Sequence, residues 1–336
     1  MWRHGMWLVW LMGAAWLSLA AAGAGGCSRA EAEGERVAPP AGRPVRVVAT
    51  VGMVADVVRA VMGERAEVVQ LIGSAVDPHL YKASRADVAA IARADVVVHN
   101  GLHLEGKLSE VLRRASHRRL TVALAELVPP ERRLEQQGQA DPHVWMDPSL
   151  WAAAALALAE KLAAWDPADG ATYRANAEAY AAELLALHAQ GQAMMATIPP
   201  DKRVLVTSHD AFGYFGRAYG LEVRAVQGLS TESEAGLREI NALVDFLVRR
   251  RVPAVFVESS VPRKSIEALI EGARRRGHEV VIGGELFSDA MGPEGTYEGT
   301  YVGMIDHNLT TVARALGGEV PERGLRGRLV GGVSSR

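Results

Sequence analysis

The tripeptide Asp-Pro-His occurs twice, as Asp77-Pro78-His79 and as Asp141-Pro142-His143. In each copy a proline of fixed φ stiffens the chain just ahead of an imidazole. The first copy shortly follows an apolar run and the second an irregular polar segment. A third imidazole, His209, follows the apolar run Val204-Leu205-Val206-Thr207-Ser208, which places it at the carboxyl end of a strand. A carboxylate, Asp289, stands similarly in a Gly- and Ser-containing loop beyond Val280–Ile282. In open α/β sheets ligands bind in the crevice outside the carboxyl ends of the strands, so four such residues, two from each half of the chain, converge on one cleft.

Three neutral imidazoles and one carboxylate form a nitrogen and oxygen shell. It suits Zn2+ in four or five coordination and accepts Mn2+ if Asp289 binds through both oxygens. Calcium and magnesium prefer oxygen alone. Because the chain holds 10 His, spacing by itself is a weak signal. Asp210 and Glu285 are neighbouring carboxylates that could take the places of His209 and Asp289, although Asp210 better suits a cap on the following helix. His99, His103 and Glu105 lie close together after a strand end. Structural roles fit them best, with orientation of a ligand imidazole as the alternative. Glu258, ending a strand in the second half, is a weaker candidate for such orientation. His117, His188, His278 and His307 read as surface or helix-face residues.

The segments that must position these groups alternate between short β-branched runs and Ala-, Leu- and Arg-rich stretches. Val45–Val51, Glu67–Ile72 and Val96–His99 read as strands, with Met53–Met62 and Ser84–Ala92 as helices between them. In the second half Arg203–Thr207, Glu222–Val226, Ala254–Val257 and Glu279–Ile282 read as strands. Gly236–Arg250, Arg263–Arg276 and Tyr301–Leu316 read as helices, and the arginine runs Arg249–Arg251 and Arg274–Arg276 close two of them. Between Asp166 and Thr197 a run of Ala, Glu, Leu and Gln with no proline after Pro167 predicts a helix of about 40 Å. The expected fold class is therefore α/β: two lobes, each a mostly parallel sheet with flanking helices, joined by one long linking helix, the metal site in the interlobe cleft. The boundaries are 45–165 for the first lobe, 166–198 for the linking helix, 199–318 for the second lobe and 319–336 for a tail. A helical connector resists wide hinge bending.

Composition narrows the function further. Hydrophobic residues make up 49% of 336 residues, enough for a sizeable core, and 37 basic residues nearly cancel 39 acidic ones. No broad field for nucleic acid results. The sole cysteine, Cys27, excludes an internal disulfide framework, a cysteine zinc site and an iron–sulfur cluster. It ends an export-type segment, residues 1–27, with Arg3 and His4 ahead of an apolar stretch Met6–Ala22 and small residues Gly23–Gly26. Such a segment resembles a bacterial lipoprotein signal, in which the cysteine is acylated. Ala24 departs from the usual Leu, and Ala22-Gly23-Ala24 would also serve an ordinary signal peptidase. Residues 28–44, rich in Ala, Glu, Gly, Pro and Arg, read as a flexible tether.

The stretches VDPHLYKASRADVAAIARADVVVHNGLHLEGKL, DPHVWMDPSLW, VTSHDAFGYFGRAYGL and GGELFSDAMG resemble, in order and spacing, the four signature regions of zinc/manganese-binding solute receptors of ABC importers. The resemblance covers about residues 45–318. It implies His79, His143, His209 and Asp289 as ligands of one Zn2+ or Mn2+ per chain, a third position held by His where some members carry Glu, and a two-lobed fold with a long linking helix. It also implies an extracytoplasmic receptor, monomeric and membrane-tethered through a lipid on Cys27, that delivers the ion to a permease and its ATPase subunit. Zinc-specialised relatives often have a long His- and Asp-rich loop before the second ligand, whereas Pro129–Ala140 here contains no His. The intrinsic affinity order nevertheless favours zinc over manganese at three imidazoles.

A zinc hydrolase is the rival reading, but no H-E-x-x-H or G-x-S-x-G motif supplies its base or nucleophile. A receptor for an organic solute would want aromatic groups, and these are only 6% of the chain. A surface adhesin role, attributed to some members of the family, has no sequence test. Because three imidazoles with an ordinary pKa of about 6.5 must shed protons to ligate, binding is expected to weaken below about pH 6.

Overall fold

The computed structural model describes residues 37–330; the export-type segment with Cys27, the first part of the tether and the end of the tail lie outside them. Regular structure begins with β1 (Val45–Ala49), α1 (Gly52–Met62), β2 (Ala66–Gln70), α2 (Arg85–Arg93), β3 (Val96–His99), α3 (Ser109–Ser116) and β4 (Leu120–Ala123). The four strands form one parallel sheet in the order β2-β1-β3-β4. Its central strands bury Val47, Val48, Val96, Val97 and Val98, so they carry unbroken apolar runs rather than alternation. α1 turns Met53, Val54, Val57, Val58 and Val61 into the core at helical spacing. α2 opens on a reciprocal cap: Ser84 Oγ accepts the Asp87 N–H, and the Asp87 carboxylate accepts the Ser84 N–H.

A small antiparallel hairpin, β5 (Glu135–Gln136) with β6 (Gln139–Ala140), occupies the polar stretch before the second Asp-Pro-His. Next come α4 (Pro148–Trp165) and α5 (Gly170–Met195), packed along one another across a short turn. α4 has no counterpart among the helices expected from the sequence. Ala-rich and buried on most of its faces, it offers little amphipathic stripe to detect. Asp147 starts it by accepting the Ser149 N–H at 2.9 Å, with Pro148 in the first turn, where a missing N–H costs nothing.

The second half runs β7 (Val204–Thr207), α6 (Gly213–Tyr219), β8 (Glu222–Ala225), α7 (Leu237–Arg250), β9 (Ala254–Glu258), α8 (Lys264–Arg275), β10 (Val281–Leu286) and α9 (Tyr301–Ala315). β7 pairs in parallel with β8, and β9 with β10, while β7 lies beside β9. Alternate side chains serve two cores. Leu205 and Phe256 join the core shared with the first half, while Val204, Val206, Val255 and Val257 pack under α7 and α8. The strand expected at Glu279–Ile282 lies further along, because it continues through Gly283 and Gly284 with a register shift between Ile282 and Gly284. Gly284 has φ of 149°, and a Cβ there would collide with Thr311, so only glycine fits.

α5, about 39 Å long at 1.5 Å per residue, packs on α1 of the first half and on α6 and α9 of the second. Asp56 ties these helices together, accepting the Tyr180 hydroxyl of α5 at 2.7 Å and the Tyr301 N–H of α9 at 3.3 Å. Among the described residues no helix is long and apolar enough to cross a membrane.

Candidate metal site

In the loop beyond β2, the Asp77 carboxylate bends back to accept the His79 backbone N–H at 2.9 Å, a turn that Pro78 rigidifies. The second tripeptide repeats this turn, Asp141 Oδ1 accepting the His143 N–H at 2.9 Å. It adds a contact from the same oxygen to His143 Nδ1 at 2.7 Å. His209 leaves the carboxyl end of β7, and Glu258 at the end of β9 plays the part of Asp141 there. Glu258 Oε1 accepts the His209 N–H at 2.9 Å and Oε2 accepts Nδ1 at 2.5 Å. A carboxylate can only accept, so Nδ1 donates in both imidazoles and Nε2 is left as the atom facing the cleft. Asp289 sits three residues beyond β10, where Trp145 Nε1–H donates to the carbonyl of Ser288 at 2.9 Å and fixes the loop.

His79, His143, His209 and Asp289 come together with one ligand atom from each within 4.8 Å of the others. Their imidazole centroids are 5.3 to 5.9 Å apart. All four are buried, His79 at 4% exposure and the others at 0–1%. The Nε2 atoms of the three histidines and both oxygens of Asp289 make no hydrogen bond. Burying five such atoms without partners costs several kcal/mol unless something satisfies them. The distances are those of a shared ligand. His79, His143 and His209 Nε2 lie 3.5, 3.4 and 3.1 Å from Asp289 oxygens. Donors on a tetrahedron with bonds of about 2.0–2.1 Å are separated by about 3.3 Å.

Charge is distributed unevenly. Burial, reinforced by the neighbouring imidazoles, lowers the His79 pKa to about 4 despite the pull of Asp289. Burial also works against charge on His209, but Glu258 and Asp289 outweigh it and raise its pKa well above the ordinary value. Burial opposes ionisation of Asp289, and His209 more than compensates, holding the carboxyl well below the usual carboxylate range. Protonation is thus favoured at His209 and disfavoured at His79.

The remaining sequence candidates lie elsewhere. Asp210 does not cap α6, whose first turn follows Phe212; its carboxylate accepts Gln136 Nε2–H at 3.0 Å because the β5–β6 hairpin reaches over it. Glu285 is exposed, and its backbone carbonyl contacts His307 Nε2 at 2.9 Å. Glu105 is buried and holds a loop, accepting the Thr50 hydroxyl at 2.6 Å and the N–H groups of Asn100 and Gly101 at 2.7 and 3.1 Å. Asn100 in turn donates to the Pro142 carbonyl at 3.0 Å, so Glu105 supports the second tripeptide at one remove. His99 lies 3.8 Å from Glu105. Three partners gave no signal in the sequence: Asn100, Trp145 and Thr231, whose hydroxyl donates to Asp77 Oδ2 at 2.5 Å.

Residues 47–315 match the family model for the periplasmic zinc-uptake complex component A. The chain is 45% identical over 284 residues to the zinc-binding protein TroA of Treponema pallidum, covering 84% of this chain and 92% of that protein. It is also 45% identical over 279 residues to the manganese-binding lipoprotein MntA of Bacillus subtilis, covering 82% and 91%. The solved structure of the periplasmic zinc-binding TroA superposes with a TM-score of 0.79 at 46% identity, over 82% of this chain and 99% of that one. By matched length, fold and sequence, this chain belongs to the family of periplasmic zinc-uptake components.

Proposed function

We propose that this chain is an extracytoplasmic receptor that captures one divalent transition-metal ion, zinc or manganese, and delivers it to the permease and ATPase of an ABC importer. His79, His143, His209 and Asp289 are its ligands. One observation carries the reading: five buried donor atoms from four distant segments face one another without hydrogen bonds, at the spacing of a metal's first shell. Both Asp289 oxygens are free to bind, which gives four donors for zinc and a fifth for manganese. Four protein ligands fill the shell of a carrier, where a hydrolase must keep a position for water. The export-type segment 1–27 and the relatives named as lipoproteins support tethering through Cys27 outside the cytoplasmic membrane. The lobes, 45–165 and 199–318, supply two ligands each across the linking helix.

Calorimetric titration of metal-stripped protein with zinc and manganese separately tests this reading. One tight site is expected, weakened about 100-fold or more in His143→Ala, because four ligands share roughly 10–16 kcal/mol of binding energy. Unchanged binding in the variant, or none in the wild type, defeats the ligand set.

A further inference from the structure

The segment between β8 and α7 reaches from the second lobe to the first. Its Thr231 hydroxyl donates to Asp77 Oδ2 at 2.5 Å, and the adjacent Glu232 pairs with Lys107 at 2.8 Å. Leu229, Ser230 and Glu232 also wall a cavity of about 660 Å³ whose opposite lining includes His79, His103 and Pro142. Of the four clustered residues His79 is the most exposed and the one that lines this cavity. The cavity is therefore the solvent side of the cluster, and the segment stands at its mouth.

Asp77 uses its two oxygens for different tasks. Oδ1 accepts the His79 backbone N–H, and Oδ2 accepts from Thr231. Asp141, its counterpart in the second tripeptide, spends Oδ1 on the backbone N–H and the ring Nδ1 of His143 and keeps that contact within its own loop. The His79 loop is also less anchored by burial: Val76 and Leu80 on either side of it are 38% and 47% exposed. Loops with little buried apolar surface open at low cost, so polar contacts hold this one in place. The Lys107–Glu232 pair is too exposed to contribute much, its side chains 35% and 50% accessible. The Thr231 bond, 8% exposed on the donor residue and accepted by a carboxylate, is the stronger of the two.

We propose that Thr231 is a positioning residue for ion retention: its hydrogen bond clasps the His79 loop of the first lobe to the second lobe and slows release of the bound ion through the cavity. The proposal rests on His79 being a ligand. Thr231 touches the ion in no way, and breaking its bond leaves the Asp77–His79 turn intact. The effect therefore falls on dissociation rather than on the number of sites.

The test is stopped-flow transfer of zinc from the loaded full-length protein to excess chelator, for wild type, Thr231→Val, Thr231→Ser and His143→Ala. Thr231→Val is expected to keep one site and release zinc about tenfold faster, equivalent to about 1.4 kcal/mol. Thr231→Ser, which retains the hydroxyl, is expected to release at the wild-type rate, and both variants to bind one zinc per chain. Thr231→Val releasing at the wild-type rate, or both variants accelerated equally, overturns the clasp while leaving the ligands standing. His143→Ala retaining zinc like the wild type overturns the ligand set and the clasp with it.

Discussion

On the proposed ligand set, metal and proton compete for His209 Nε2. With Glu258 on one side of the ring and Asp289 on the other, the His209 pKa is raised well above the ordinary value, whereas His79 falls to about 4. The proposed ion therefore competes with a proton more strongly at His209 than at His79. Competition at His209 is therefore expected to extend above the pH range that an ordinary histidine would set. Below the raised pKa, affinity is expected to fall as pH falls, and calorimetry in buffers of differing ionisation enthalpy should detect protons released on binding. The metal-free protein shows the opposite trend. A raised pKa stabilises the fold below the ordinary histidine value, and that stability is lost as pH climbs through the raised one, which thermal melts across that range would detect. Glu258→Gln keeps a hydrogen-bonding group but removes the charge. Its expected outcome is a zinc affinity lower by about 10- to 100-fold with one site retained, measured by chelator competition. The four residues that cluster were legible because each lies in a short local motif. Glu258 was legible only as a strand-end carboxylate, since its partner lies 49 residues away and no local pattern joins them.

At the scale of elements, helix packing against α5 sets a narrow tolerance at Gly191. A Cβ there would come 2.8 Å from Leu309 of α9 and 3.0 Å from Tyr219 of α6. Alanine improves helix propensity by about 1 kcal/mol, but overpacking a filled core costs about 1–3 kcal/mol. Leu309 and Tyr219 are almost fully buried and have little room to yield. Gly191→Ala is expected to destabilise the protein by about 1–2 kcal/mol, readable from denaturant midpoints at constant slope. Sequence patterning located most strands and helices within a few residues because β-branched runs and amphipathic repeats are local signals. It missed the short elements α3, β4 and α6 and also α4, which is buried on most of its faces, and misplaced β10, whose two glycines look like a strand's end and are in fact its bulge.

For the whole molecule, binding only to the folded state should raise stability by about 4 kcal/mol when free zinc is a thousandfold above Kd, a rise in melting temperature on the order of 10 °C. The rise should vanish in His143→Ala. The α5 connector, braced by α4 and tied at Asp56 to α1 and α9, predicts that small-angle scattering profiles with and without zinc differ little. The proposed ligand set takes two donors from each half of the chain, which has a further consequence. On that proposal each pair alone would be a weak bidentate chelator, and tight binding would come from the scaffold holding the second pair at high local concentration beside the first. Affinity in such an arrangement is a product of two modest terms, so it collapses once the pairs no longer reach the same point. A partner that levers the lobes apart by about one coordination bond length, roughly 2 Å, would turn a trap into two poor ligands without unfolding either.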